Sequence, residues 1–182
     1  TLLSLLAILI FSAYSVPTIF SGRDQGSLSE AAIQLSKNRD LTFSFPAEKE
    51  FFKIYGQGPA LNFPGFNYTA TGELTTQFPL GYIAWLAIFY SFFGLSGFAI
   101  ANGISFMLFI VSFYLIARTF LRPSRAALAW ILIMTSFVFS WFFKFTLSEN
   151  LALMLLWFGI FSFLQFRKNQ ERFYLLSSLF AF

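Results

Sequence analysis

The chain contains neither cysteine nor histidine in its 182 residues. Those two absences exclude disulfides, thiolate zinc sites, haem ligation through either residue, Ser-His and Cys-His nucleophile pairs, and imidazole acid/base chemistry. Charge is almost as scarce, since 12 Lys and Arg and 8 Asp and Glu make up only 11% of the residues. Any catalyst built from this sequence must therefore use carboxylates, Lys or Arg, Tyr, or a divalent ion held by oxygen ligands.

In place of charge the chain has apolar and aromatic side chains, 57% and 22% of its residues, with 29 Phe. That is a poor match to the usual composition of soluble domains. Four long runs, 1–22, 79–117, 126–143 and 150–166, carry no charge at all. About 18 or more consecutive apolar residues suffice to cross a hydrocarbon core, and continuous runs read as helices rather than barrel strands. The expected fold class is thus all-α, a polytopic transmembrane helical bundle with membrane lipid as its surroundings. The net charge of +4 follows from loops at a membrane surface and does not point to nucleic acid. Thr1 lies inside one apolar run and Phe182 inside another that starts near Phe173, so the chain reads as the N-terminal module of a longer protein.

Loop charges orient the spans. Arg118, Arg122 and Arg125 stand without an acid, and Arg167, Lys168 and Arg172 stand against Glu171 alone; both loops read as cytoplasmic by the positive-inside rule. Two spans, about 126–143 and 150–166, separate them and place the Lys144–Glu149 turn outside. Residues 22–78 hold five basic and six acidic residues and read as a long external loop. Parity then asks for one crossing within 79–117. Gly94, Leu95, Ser96 and Gly97 divide that run into a short interfacial or re-entrant helix at 79–93 and a span at about 98–117. The alternative, in which both pieces cross, strands the triple-Arg loop outside. Further spans are expected at about 1–21 and from 173 to 182 onward.

Within the external loop, Leu28, Ala31, Ala32 and Leu35 recur at helical spacing, and Ser27 with Glu30 has the spacing of a capping box. An interfacial helix at 27–37 is expected, ended by Asn38-Arg39-Asp40. Residues 42–79 mix aromatics with Pro and Gly, which suggests irregular or short extended structure, ordered by its aromatics.

Several features in order resemble a known family. These are a first span, an Asp in the following loop, an Ala-containing juxtamembrane helix, Gln77-Phe78-Pro79-Leu80-Gly81-Tyr82 before a short helix ending Phe92-Phe93-Gly94, and Tyr114-Leu115-Ile116-Ala117-Arg118. Ala126-Ala127-Leu128 and the stretch from Lys144 through Glu149-Asn150-Leu151 complete the series. Together they resemble the N-terminal module of GT-C-type membrane glycosyltransferases, the superfamily of protein O-mannosyltransferases and lipid A aminoarabinose transferase. The resemblance implies transfer of a hexosyl or pentosyl group from a polyprenyl-phosphate-type lipid donor to an acceptor on the extracytoplasmic face of the plasma (inner) membrane, in cell-envelope assembly. It also implies an essential acid in the first external loop, here Asp24, and a second at the outer end of a later span, here Glu149. Relatives often carry Asp-Glu followed by Gly-Tyr, whereas this chain has Asp24-Gln25-Gly26-Ser27.

The chemistry of these residues fits that activity. A carboxylate suits removal of the acceptor proton, and Arg23, Lys144 or helix N-terminal amides suit a phosphate leaving group. Two carboxylates alone leave open whether Asp24 and Glu149 share a divalent cation such as Mg²⁺ or Mn²⁺. Plainer roles stand beside these: Asp24 and Glu149 at helix starts complement the dipole, and Lys144 snorkels. A secondary transporter or a non-enzymatic membrane subunit are the rival classes. A transporter would hold ionisable residues or broken helices at mid-membrane.

Overall fold

The computed structural model describes residues 24–181. The expected first span at 1–21 and Arg23 lie outside the described residues. The chain is mostly helical and divides into two compact units: 24–101 with Phe145–Leu147, and Asn102–Lys144 with 148–181.

The first unit is built on α1 (Asp24–Asn38), with Asp24 in its first turn and Lys37 in its last, charges that complement the helix dipole. Seven of its residues from Gly26 to Ile33 are buried, including Leu28, Ala31 and Ala32 of the predicted stripe. The small side chains of Ser29, Ala31 and Ala32 let α1 pack closely on α3 (Leu80–Phe93), whose Tyr82, Ile83 and Leu86 are also buried. Arg39 takes a left-handed conformation at φ 57° and ends α1 where expected. The helix starts one turn earlier than its sequence suggests, so Ser27 lies within the first turn rather than at the cap. Its hydroxyl donates to the Pro64 carbonyl, and Glu30 accepts from Gln34.

An all-α reading does not survive between α1 and α3. Four short strands, β1 (Thr42–Phe43), β2 (Gly58–Pro59), β3 (Phe66–Tyr68) and β4 (Leu74–Thr76), form an antiparallel sheet in the order β1-β4-β3-β2. A helix, α2 (Glu48–Tyr55), lies between β1 and β2. Phe66 and Tyr68 alternate with Asn67, which puts both rings on the buried face. Phe43 meets Phe66 edge to face at 5.1 Å, and Phe52 lies 5.6 Å from Tyr68. Gly65 sits at φ 89° beside α1, and a Cβ there would fall 2.4 Å from that of Ser27, so a larger residue would force one of the two to shift.

The second unit contains most of α4 (Ser96–Phe120), then α5 (Pro123–Met134), α6 (Phe137–Phe142), α7 (Ser148–Asn169) and α8 (Arg172–Ala181). Its core is aromatic: Phe106, Phe109, Ile110 and Phe143 are buried, with Trp130, Phe139 and Trp157 packed around them. Phe106 and Phe143 meet edge to face at 4.8 Å, a contact worth about 1 kcal/mol beyond the area it buries. α7 and α8 pack against each other as a hairpin.

Among the described residues, α4 and α7 are the two helices long and apolar enough to cross a membrane. At 25 and 22 residues they extend about 37 and 33 Å, against a hydrocarbon core of about 30 Å. Of their most apolar windows, 44% and 22% are buried. Helix α3, with 14 residues, is short for a crossing, as its sequence suggests. The run 126–143, read as one span, is two helices of 12 and 6 residues. Thr135 bonds back through its hydroxyl to Ile131 at 2.9 Å and Ser136 is extended; hydroxyl side chains compete with the helical ladder in this way.

Candidate functional site

Asp24 is the first described residue and opens α1, where its side chain is exposed. The helix N-terminus at this position favours a carboxylate and offers backbone N–H groups to an anion. Three of the four residues that follow, Gly26, Ser27 and Leu28, are buried, so the start of α1 is anchored in the first unit while Asp24 faces out.

The anchor includes a distant segment. Phe145–Leu147 belongs to the first unit although its neighbours on either side belong to the second. Thr146, 2% exposed, donates from Oγ1 to the Gln25 carbonyl at 2.9 Å. Its oxygen also lies 2.7 Å from Ser29 Oγ, whose hydroxyl bonds the same carbonyl at 2.8 Å. Each hydroxyl has one proton, so two hydrogen bonds join these three closely spaced oxygens. Each bond contributes roughly 1 kcal/mol, and leaving a buried partner unpaired costs about 1–3 kcal/mol.

The other candidates lie on the second unit. Lys144 is half-buried after α6. Glu149 is exposed in the first turn of α7 and accepts a 3.2 Å hydrogen bond from Ser148. Asn150, 1% exposed, donates to the Phe142 carbonyl at 3.4 Å and so ties the end of α6 to the start of α7. Thr146 therefore ties the Phe145–Leu147 segment to the residue after Asp24, within the first unit. Arg23 lies outside the described residues.

Two features went unread in the sequence. Glu48, 1% exposed, accepts a 2.7 Å hydrogen bond from the Phe45 N–H and fixes the start of α2. Ser29 and Thr146 meet across 117 positions, a pairing that no local pattern announces. Among the described residues no three acidic side chains converge as a metal cage would require. The donor set does not by itself fit a protein-held divalent cation, and no step below is routed through one.

Comparison of the chain with protein-family models, with curated proteins and with solved structures finds no match.

Proposed function

We propose that the chain is the N-terminal part of a polytopic membrane glycosyltransferase that acts on a lipid-linked sugar at the extracytoplasmic face. The observation that supports this reading most is the bond from Thr146 to Gln25. It fastens the start of the Asp24 helix to the Phe145–Leu147 segment, which lies in the sequence between Lys144 and Glu149. The membrane part of the reading rests on the length and exposure of α4 and α7 and on the basic loops that follow each of them.

In this account Asp24 takes the proton from an acceptor hydroxyl as its oxygen attacks the anomeric carbon of the donor. The bond from that carbon to the lipid phosphate breaks, and the phosphate leaves with the electron pair. Arg23 and Lys144 stabilise the charge that develops on the leaving oxygen, and Glu149 supports the site as a second acid. A carboxylate base of this kind contributes roughly 100- to 10,000-fold.

One observation favours a second reading, a secondary transporter: the interruption at Thr135–Ser136, since discontinuous membrane helices commonly frame transport sites. Radiolabelled sugar transfer from polyprenyl-phosphate donors, assayed with the full-length protein, separates the two. Transfer supports the enzyme. Solute uptake into proteoliposomes without transfer supports the transporter.

A further inference from the structure

A cleft of about 840 Å³ opens in the second unit where the last turns of α4 and α7 meet α8. Its polar wall holds Arg118 and Thr119 from α4, Gln165, Arg167 and Lys168 from α7, and Tyr174 from α8. No acid lines it, and among the described residues none of the three cations has an ion-pair partner. Cations are favourable at helix C-termini in themselves, because each terminus carries about half a negative charge. Two termini offset about one of the three positive charges, which leaves about two for a ligand. Leu115, Phe161 and Leu164 add an apolar part to the lining. The volume matches sites that hold whole organic molecules, roughly 300–1,000 Å³, and exceeds what an inorganic anion needs.

We propose that this cleft binds the phosphate headgroup of an anionic membrane phospholipid, with an acyl chain laid along Leu115, Phe161 and Leu164. Basic pockets between membrane helices on the cytoplasmic side recognise such headgroups through charge and hydrogen bonds together. Thr119, Gln165 and Tyr174 supply the hydrogen bonds and Arg118, Arg167 and Lys168 the charge. The inference rests on the membrane reading above but not on the transferase one. Arg122, Arg125 and Arg172 belong to the same loops and do not line the cleft, so they provide a control of equal charge.

The full-length protein is reconstituted in vesicles of equal phosphatidylcholine and phosphatidylglycerol, extracted, and its retained lipid measured by native mass spectrometry. The wild type retains phosphatidylglycerol preferentially. At about fivefold for each basic side chain, the R118Q/R167Q/K168Q variant loses on the order of 100-fold of that preference, and R122Q/R125Q/R172Q keeps most of it. Equal losses in the two variants would mean a diffuse surface potential and overturn the site. Displacement of the lipid by millimolar inorganic phosphate would make the ligand a soluble anion and overturn the lipid assignment. If the triple variant fails to fold, photo-crosslinking of the wild type with a headgroup-labelled phosphatidylglycerol decides the matter. Label on 114–120 or 161–168 supports the cleft, and label confined elsewhere refutes it. Sugar transfer plays no part in these readouts, so their failure is separable from failure of the transferase reading.

Discussion

Thr146 donates a hydrogen bond of 2.9 Å to the carbonyl oxygen of Gln25 across 121 positions of sequence. With Ser29, which donates to the same carbonyl, it holds Phe145–Leu147 against the helix that begins at Asp24. Thr146→Val keeps the shape and removes the donor. It should destabilise the protein by about 1–3 kcal/mol, while Thr146→Ser should cost less. Thermal unfolding in detergent checks both. A Thr146→Val/Ser29→Ala double variant should lose less than the sum of the single changes, as expected for side chains in one network.

Gly65 is held at φ 89°, with Ser27 and Phe78 where a Cβ would go, whereas Gly56, at φ 69°, has open space around it. Gly65→Ala combines backbone strain with a clash and should cost roughly 2–4 kcal/mol. Gly56→Ala meets only the backbone term, roughly 1–2 kcal/mol. Comparison of the two unfolding midpoints separates packing of the sheet loop against α1 from conformational preference alone.

How far the fold could be read beforehand follows from what each feature demands of the sequence. A helix long and apolar enough to cross lipid is visible as an uninterrupted run, as α4 and α7 are. Gly94, with φ 58°, ends α3 where the glycines suggest a break. The interruption between α5 and α6 was hidden because Thr135 and Ser136 are uncharged and sit comfortably in an apolar run. Strands of two or three residues carry almost no periodicity, which concealed the sheet, although Phe66-Asn67-Tyr68 and Leu74-Thr75-Thr76 around Gly72 spell a hairpin in retrospect. The candidate acids stood out because carboxylates are rare here. Their anchoring through Ser29 and Thr146 depends on tertiary contact and leaves no local trace.

The Thr42 N–H donates to Asp40 Oδ1 at 3.0 Å, and this bond holds the Asp40 carboxyl below its ordinary value. A lowered folded value means that the turn gains stability from the ionised form at pH above the unfolded value of about 3.9. That contribution fades as pH falls through the lower, folded value. NMR titration of the Asp40 carboxyl should give a midpoint below that of an unfolded peptide, and Thr42→Pro, which removes the N–H, should raise it.

The topology account places Arg122 and Lys168 in the cytoplasm and Asp24, Gly72 and Glu149 outside. These 182 residues hold no cysteine, so single Cys substitutions at these sites add the one thiol within them. An impermeant maleimide applied to intact cells should label positions 24, 72 and 149 and spare 122 and 168. Labelling at 122 would mean that 79–117 crosses twice.

The most direct test of the transferase account is turnover by a purified full-length Asp24→Asn variant with a polyprenyl-phosphate sugar donor. Asn preserves size and hydrogen bonding but cannot act as a base, so expression and donor binding should persist while turnover falls by roughly 100- to 10,000-fold. Glu149→Gln should lose less. Wild-type turnover in the Asp24→Asn protein would contradict the account and leave Asp24 as a residue that only complements the dipole of its helix.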